Sequence, residues 1–401
     1  MEYHYAYAQI LRIAEPQDPH IHHALEVLGA PQTAHILSGK KSLDFKEWKQ
    51  ALRTNPSSIS ETLNKSAEET YLALQERIQR WSQRAETLSP EQEHRSAQSL
   101  NSWICIPEDE DWPETLNDLD TSRPYALWGR GDRERLQELQ HTPAISIVGS
   151  REPTQYGHSV TSHLVQDLAP TQTPIISGGA LGIDGIAHRT ALETSPSNLP
   201  TVALMACGVD RPYPKQHQQL LEHIINRGLL LSEVSLGTPP TRWRFLQRNR
   251  MIAALSELTV IVEARWRSGA LNTAHHALEL GRELRAVPGS IFSPTSQGCH
   301  RLLREGLAQP ISCAQDIIDD LHLENLNTDC NTDETPPVEN LLLTELHQRI
   351  WDVLPLHQGI DIEKISTLIG TNPRNIMSAL GYLSHHHLAE NTNQLWRKKK
   401  R

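Results

Sequence analysis

The sequence between residues 143 and 315 alternates short apolar runs with helical stretches, and this alternation constrains the fold more than any other feature. The run Ala144–Val148 ends at Gly149, and five further runs also stop at small, polar or turn-forming residues. They lie at residues 174–176, 201–205, 229–231, 258–262 and 284–287. Strands that are apolar on both faces and separated by helices are typical of a parallel sheet covered on both sides. The sequence therefore predicts an α/β fold with a doubly wound parallel sheet.

Segments of different composition flank this region. Residues 1–100 are polar with helical spacing and predict a helical N-terminal domain, followed by the α/β domain at 101–315. Residues 316–340 contain eight acidic residues and neither lysine nor arginine, which predicts a solvated acidic linker. Residues 341–401 predict three helices and two short strands, as in a winged-helix domain.

The cysteines and the chain start bear on the compartment. Five cysteines, without a C-x-x-C pair, fit a reducing cytoplasm and provide neither a disulfide framework nor a zinc site. No basic segment followed by an apolar one opens the chain, and no apolar run is long enough to span a bilayer. We therefore expect a cytoplasmic protein without a membrane partner. The net charge of −10 argues against a polyanionic partner, but a ligand meets the local charge rather than the average.

The loops after the predicted strands are rich in glycine. Ligands of open parallel sheets bind beyond the carboxyl ends of the strands, where glycine lets the backbone approach a phosphate and a helix N-terminus offers free N–H groups. Gly149-Ser150-Arg151 adds a guanidinium that can grip a phosphate, and Ser177-Gly178-Gly179 follows the next strand. A single glycine loop is explained as well by a tight turn. Repetition at one edge favours a binding site.

The segment from Arg242 to Arg304 is strongly basic. It holds ten arginines and no lysine against four glutamates, a local excess of six positive charges. Trp243, Phe245 and Trp266 are interleaved with these arginines, and Lys215 lies on a neighbouring loop. Cationic side chains beside exposed aromatic rings are how proteins hold flexible single strands of nucleic acid.

The alternative is that the aromatic residues belong to the core and that the arginines form a solvated face. We expect Phe245 to be exposed, because it stands between basic residues in a non-periodic stretch, and leave Trp243 and Trp266 open. Arg151, Lys215 and the cluster at 242–250 are expected to converge into one positive trough.

Other candidate chemistry is weaker. Asp184 and His188 stand four residues apart on one predicted helix, but no third ligand accompanies them, so a capping or packing role is expected. Cys207 follows a buried strand and is expected in the core. We therefore expect no metal, no cofactor and no catalysis.

With these motifs in place, the stretch from about Trp103 to Asp316 resembles the DNA-processing protein A family (DprA, also called Smf). The resemblance rests on ordered short motifs: Ile147-Val148-Gly149-Ser150-Arg151 with Tyr156-Gly157, Ser177-Gly178 with Gly182-Ile183-Asp184 and Ala187-His188, Gly208-Val209-Asp210 with Tyr213-Pro214, Ser232-Glu233, Phe245 with Arg248-Asn249-Arg250, Ser268-Gly269, and Pro288-Gly289.

The resemblance implies an extended Rossmann-like fold that binds single-stranded DNA without catalysis, protects incoming DNA and loads the RecA recombinase in natural transformation. It further implies a homodimer through the Rossmann-like domain, single-strand-binding protein as a further partner, a helical N-terminal domain of the SAM or helix-hairpin type, and a winged-helix C-terminal domain.

By the same resemblance, Gly149, Ser150 and Arg151 form a phosphate loop, and Ser177, Gly178, Gly179, Ser268 and Gly269 belong to the DNA site. Lys215, Arg242, Arg248 and Arg250 line the strand path, Phe245 stacks on a base, and Asn249 positions its loop. The sequence departs from the family pattern at Gly179, where a bulkier apolar residue is usual, and at Leu246, where proline is frequent. These departures bear on loop shape rather than on charge.

Two other functions are compatible with parts of the sequence. A nucleotide phosphoribohydrolase is built on a related sheet, but its Pro-Gly-Gly-x-Gly-Thr loop is not reproduced in Ser268–Thr273. A winged-helix regulator of duplex DNA would need a basic recognition helix. Between Asp361 and Asn393 only two basic residues stand against three acids, which favours a protein-contact or orienting role for this domain.

Overall fold

The computed structural model describes residues 2–56, 65–86, 90–323, 345–355, 359–385, 389–392 and 395–398. It divides into two compact units, Met1–Asp329 and Cys330–Arg401. None of the helices among these residues is long and apolar enough to cross a lipid bilayer.

The first unit begins with helices and continues as an α/β sheet. Its helices are α1 Glu2–Ile13, α2 Pro19–Leu28, α3 Ala30–Leu37, α4 Phe45–Thr54, α5 Ala67–Glu86, α6 Pro90–Ser99, α7 Glu138–His141, α8 Gln155–Leu168, α9 Ile183–Thr194, α10 Gln218–Arg227, α11 Arg242–Ala254, α12 Gly269–Glu279, α13 Gln297–Arg304 and α14 Ala314–Asp320. Its strands are β1 Ser102–Cys105, β2 Leu127–Arg130, β3 Ile145–Val148, β4 Ile175–Ser177, β5 Thr201–Leu204, β6 Leu229–Ser232, β7 Leu258–Ile261, β8 Glu283–Ala286 and β9 Gln309–Pro310.

The strands form one sheet in the order β1-β2-β6-β5-β4-β3-β7-β8-β9. All neighbours from β6 to β9 pair in parallel, whereas β1 with β2 and β2 with β6 are antiparallel. The chain runs from β3 outwards to β6 on one side and resumes at β7 on the other side of β3. The order therefore reverses between β3 and β7, and ligands of such sheets bind at this switch point.

Side chains of the central strands alternate between two cores. On β3, Ile145 and Ile147 pack with Val165 on one face, while Val148 packs with Met251 on the other. Because both faces are covered, each strand is apolar along its whole length. The predicted α/β class with a doubly wound, mostly parallel sheet is confirmed.

The N-terminal helices share a core with the sheet. Their apolar residues, Ile10 and Leu37 among them, pack in one cluster with Tyr125 and Met205 of the α/β region. The Tyr125 hydroxyl also accepts from the backbone N–H of Asp18 at 2.9 Å. The boundary predicted at residue 100 does not coincide with a division between compact units, because the helices bury their apolar faces against the sheet as well as against one another.

The linker predicted at 316–340 was given a start that lies inside a helix. Residues 314–320 form helix α14, and Ile317 and Ile318 are buried against the core around β3 and α8. The prediction considered the acidic residues and overlooked the two isoleucines, which give α14 an apolar face. Residues 324–344 lie outside the described part of the chain.

The second unit has three helices, α15 Glu345–Val353, α16 Ile362–Ile369 and α17 Pro373–His385, and the strands β10 Ala389–Thr392 and β11 Leu395–Lys398. The two strands pair in an antiparallel hairpin. Its core holds Ile350, Ile365, Ile376, Leu380 and Leu383. The element order is the predicted one, and the assignment as a winged helix stays a prediction.

His188 is a buried neutral histidine, which makes the fold sensitive to acid. Its Nδ1 lies 2.7 Å from Thr201 Oγ1, and that hydroxyl donates to Ile175 O. Nδ1 therefore carries the proton, and Nε2 has no partner among the described residues. Burial lowers the pKa of His188 from 6.5 to about 3. Between these two pH values, His188 takes up a proton in the unfolded chain but not in the folded one.

We therefore expect the free energy of unfolding to be highest above pH 6.5 and to decrease as the pH falls below 6.5. Of the decrease at pH 5.5, His188 should account for about 1.4 kcal/mol. Urea unfolding at pH 7.5, 6.5 and 5.5 measures this. His188→Gln should show a shallower pH dependence than the unchanged chain, and exposed His163→Gln should not. Equal slopes in all three proteins would contradict the role of His188.

Candidate nucleic-acid interface

An open groove of about 680 Å³ lies at the switch point between β3 and β7. The loop from β3 to α8, the first turns of α11 and the loop from β7 to α12 form its walls. This groove is built from Gly149, Ser150, Arg151, Arg242, Phe245, Arg265, Arg267, Ser268 and Gly269, among others. Seven of these residues belong to the predicted site.

The loop after β3 is held by close packing against the start of α9. Gly182 has φ +82°, and a Cβ there would meet Ser150 O at 2.2 Å, so only glycine fits. Ile183 N donates to the same carbonyl at 3.1 Å. These contacts fix the backbone of the loop, while the side chain of Arg151 is exposed into the groove.

Helix α11 supplies the second wall. Thr241 caps it by accepting from the backbone N–H of Arg244, and Arg242 in the first turn is exposed. The Phe245 ring lies 5.6 Å from the Tyr213 ring and 4.9 Å from the Arg151 guanidinium carbon. The stretch predicted to be non-periodic is thus helical, and Phe245 is half-buried rather than exposed, because its neighbours cover part of the ring.

The loop after β7 supplies the third wall. Ser268 caps α12 by accepting from Ala270 N at 3.3 Å, and Gly269 is exposed beside it. Arg265 and Arg267 precede this cap and line the groove, although neither was selected from the sequence. Their position directly before a Ser-Gly helix cap at the carboxyl end of a strand was the available signal.

Arg248 is held inside the protein. It is only 5% exposed, and its Nη1 donates to Gly178 O at 2.5 Å and to Leu204 O at 2.6 Å. Burial lowers the pKa of this guanidinium to about 10. A Cβ on Gly178 would lie 2.3 Å from Nη1, so the glycine makes room for the arginine. Arg248 therefore forms the floor of the groove and joins the ends of β4 and β5.

Arg250 is a structural residue as well. Its guanidinium donates to both carboxylate oxygens of Glu233, at 2.7 and 2.5 Å, and its Nε donates to Ser122 O. A buried arginine paired in this way offers nothing to a phosphate. The structure does not bring Arg250, predicted to line the strand path, to the groove surface, because Glu233 and Ser122 hold its guanidinium inside the protein.

The glycine loop after β4 is also internal. Ser177 is fully buried and donates to Ile147 O at 2.6 Å, and Gly178 and Gly179 are buried beside it. Lys215 is exposed on a short 3-10 turn and is not among the groove-lining residues. The structure thus does not bring these four predicted residues to the groove surface.

Asn249 joins two walls of the groove. Its Nδ2 donates to Gly269 O and to Asn272 Oδ1, both at 3.2 Å. It therefore ties α11 to the start of α12, and its backbone lies on a helix rather than on the expected loop.

Three arginines of the groove have no ion-pair partner among the described residues. Among the described residues, no carboxylate lies within ion-pairing distance of Arg151, Arg242 or Arg267, whereas Arg265 is 3.6 Å from Glu152. Together with the Phe245 ring, they offer charge for phosphates and an apolar surface for a base.

A family model described as DNA recombination-mediator protein A matches residues 103–322, more than half of the chain. The chain belongs to this family. The resemblance drawn from the short motifs is thereby confirmed.

Relatives extend the similarity along the chain. The putative DNA processing protein DprA of Mycobacterium tuberculosis is 37% identical over 305 residues, which cover 73% of this chain and 76% of that protein. DprA of Bacillus subtilis is 38% identical over 203 residues, 51% of this chain and 66% of that protein. The X-ray structure of Streptococcus pneumoniae DprA matches with a TM-score of 0.60 at 26% identity and covers 81% of this chain and 98% of that one.

Acidic groups near the groove are engaged within the protein. Asp184 is buried and accepts from the backbone N–H groups of Gly178 and Ala180, and burial raises its pKa. With His188 hydrogen-bonded to Thr201, the Asp184–His188 pair has the packing and turn-holding contacts expected from its spacing. Both residues hold the framework behind the groove.

One cluster of possible metal ligands lies elsewhere in the described residues. The ligand atoms of Cys105, Asp109 and Asp111 lie within 4.8 Å of one another. The Arg133 guanidinium donates to both aspartates at 2.6–2.8 Å, and burial raises the pKa of the Cys105 thiol. The guanidinium supplies the positive charge that a cation would bring, so these residues do not fit a metal site.

Proposed function

We propose that this chain binds single-stranded DNA in the groove, without catalysing a reaction, and that it protects incoming DNA and loads the RecA recombinase in natural transformation and recombination. The observation that carries the proposal is that Arg151, Arg242 and Arg267, all without an ion-pair partner among the described residues, line one groove together with the Phe245 ring. Membership of the recombination-mediator family supports it.

The walls of the groove favour a single strand over a duplex. A flexible strand can turn its bases towards Phe245 while its phosphates meet the three arginines, whereas the bases of a duplex are stacked inside and unavailable. Binding should therefore depend weakly on sequence and strongly on salt.

A gel-shift competition between single- and double-stranded oligonucleotides tests the proposal. We expect the single-stranded oligonucleotide to bind more tightly than the duplex. The slope of log affinity against log salt concentration should be about −0.7 per phosphate bound. Preference for duplex would overturn the proposed function. Incubation with nucleoside monophosphates tests the absence of catalysis, which released base and ribose phosphate would overturn.

The proposed partners follow from the family. They are a second copy of the chain, bound through the Rossmann-like domain, the RecA recombinase and single-strand-binding protein, all in the cytoplasm. Light scattering of the purified chain tests the homodimer, and RecA filament formation on strands coated with single-strand-binding protein tests the loading. A monomer at micromolar concentration, or no gain in filament formation, would overturn the respective proposal.

Phe245 should contribute a stacking face. Phe245→Leu keeps an apolar side chain beside Tyr213 but removes the ring, so we expect affinity for single strands to fall by about 1–3 kcal/mol at unchanged stability. Fluorescence anisotropy of a labelled oligonucleotide measures this. Phe292→Leu, on an exposed loop that does not line the groove, is the matched control and should bind normally. Equal affinity of both variants would exclude stacking on Phe245.

The C-terminal unit should contribute little to strand affinity. It is a compact unit of its own, and its helices carry few basic residues. We expect a chain ending at residue 340 to retain single-strand affinity within about threefold, less than the loss of one charged contact. A near-complete loss in the same anisotropy assay would show that this unit takes part in binding.

A further inference from the structure

Tyr213 is the one aromatic side chain of the described residues that is both exposed and part of the groove wall. It is 41% exposed and lines the groove beside Phe245. Trp243 and Trp266, whose state the sequence left open, are 64% and 48% exposed but do not line the groove. Tyr213 was not among the residues selected from the sequence, so the structure adds a second ring to the groove.

The loop that carries Tyr213 is held in place by the loop after β6. The carboxylate of Asp210 accepts from the backbone N–H of Gly237, with its two oxygens at 2.8 and 2.9 Å from that nitrogen. The backbone N–H of Gly208 donates to Thr238 O at 3.0 Å. The backbone before Tyr213 is therefore fixed while the ring stays accessible, and a ligand that contacts the ring does not have to order the loop first.

Phe245 offers less free ring surface than Tyr213. The guanidinium carbons of Arg151 and Arg248 lie 4.9 and 5.9 Å from the centre of the Phe245 ring, and the side chain is half-buried. Arg248 is fixed in this position, because it donates to two backbone carbonyls of the groove floor. Part of the Phe245 ring is thus covered by the protein itself, and Tyr213 supplies the more exposed of the two rings.

The two rings are too close together to clamp one base between them. The centroids of Tyr213 and Phe245 are 5.6 Å apart, and the ring planes are inclined by 49°. A base held between two parallel rings needs a separation of about 7 Å, twice the contact distance between carbon atoms. The pair therefore offers two adjoining stacking faces rather than one slot.

We propose that Tyr213 stacks on a second base of the bound strand, next to the base that stacks on Phe245. This inference rests on the proposed function, because the strand must first occupy the groove. Stacking needs only the flat face of a base, so Tyr213 adds affinity without selecting among the four bases. One base on each ring gives the groove two stacking contacts with neighbouring nucleotides of one strand.

Strands with and without bases separate stacking from every other role of Tyr213. Fluorescence anisotropy with the full chain compares a labelled oligothymidylate with an abasic strand of the same length, which keeps the phosphates and sugars but lacks the bases. We expect Tyr213→Leu to weaken oligothymidylate binding about tenfold and to leave binding of the abasic strand unchanged. Tyr213→Phe keeps the ring and should bind both strands like the unchanged chain.

Tyr5→Leu is the matched control for this comparison. Tyr5 is 43% exposed, close to the value for Tyr213, and it lies on α1 and does not line the groove. We expect this variant to bind both strands like the unchanged chain. A loss on oligothymidylate equal to that of Tyr213→Leu would show that the effect does not come from the groove, and would overturn the inference.

Combining Tyr213→Leu with Phe245→Leu tests whether the two rings take separate bases. We expect the double variant to bind oligothymidylate about tenfold more weakly than Phe245→Leu alone, because the base on Tyr213 is lost as well. If Tyr213 only supports the Phe245 ring, the double variant will bind no more weakly than Phe245→Leu. That result would overturn the second base.

The remaining outcomes distinguish this inference from the proposed function. An equal loss on both strands in Tyr213→Leu would show that Tyr213 shapes the groove without stacking on a base. Unchanged oligothymidylate binding in Tyr213→Leu, together with weaker binding in Arg151→Ala, would overturn the second base and leave the proposed function standing. No single-strand binding by the unchanged chain would overturn the proposed function itself.

Discussion

Replacing Glu233 with alanine should lower the free energy of unfolding by about 3–5 kcal/mol, the loss typical of breaking a buried ion pair on one side. Arg250 and Glu233 are 2% and 4% exposed, and the guanidinium spans both carboxylate oxygens. Without the carboxylate, a charged guanidinium would stay buried with neutral partners, among them the carbonyls of Ser122 and Gln247. The midpoint of urea unfolding, followed by circular dichroism, measures the loss.

Two variants show whether the loss comes from the unpaired charge. Glu152→Ala removes an exposed carboxylate paired with Arg265 and should change stability by less than about 1 kcal/mol. Arg250→Met combined with Glu233→Leu replaces the whole pair with apolar groups and should recover most of the stability. If the double variant has as low a free energy of unfolding as Glu233→Ala, the loss comes from the missing hydrogen bonds rather than from an unpaired buried charge.

Removing the three unpaired arginines of the groove should nearly abolish single-strand binding. We expect the combined variant Arg151→Ala, Arg242→Ala and Arg267→Ala to lose about 3 kcal/mol or more of binding free energy, since each charged contact is worth about 1.5 kcal/mol. The slope of log affinity against log salt concentration should decrease in magnitude by about two, because each of the three lost phosphate contacts contributes about 0.7. Stability should stay unchanged, because these side chains are exposed.

The matched control removes the same net charge elsewhere. Arg53, Arg189 and Arg304 are exposed and do not line the groove, so their combined replacement by alanine should leave the affinity within a few fold. Salt titrations of anisotropy on both triple variants provide the comparison. Equal losses would show that net charge attracts the strand, without a defined site.

The basic segment shows how far sequence reasoning reached at the site. Counting charge pointed to the segments after β6 and β7, and the glycine loop after β3 pointed to Arg151; residues from all three line the groove. Counting charge did not separate Arg242 from Arg248 and Arg250. On a helical wheel Arg250 lies only about 80° from Arg242 and Arg248 lies about 120° from it, so helical periodicity does not reveal which of these arginines are buried.

The remaining errors came from partners that are distant in sequence. Glu233 lies 17 residues from Arg250, and Gly178 lies 70 residues from Arg248. Neither contact follows from local pattern, because it depends on the ends of β4, β5 and β6 meeting at one sheet edge. The same holds for the N-terminal helices, because the surface that covers their apolar faces exists only once the sheet has formed.

The amino-acid sequence by itself determined the alternation of strands and helices, the family of the chain and the edge of the sheet where basic loops gather. These properties depend on local periodicity and on short motifs, which are present in the chain before it folds. Only the tertiary structure decided which arginines are free and which are buried. Exposure and pairing depend on the residues that folding brings together from distant parts of the chain.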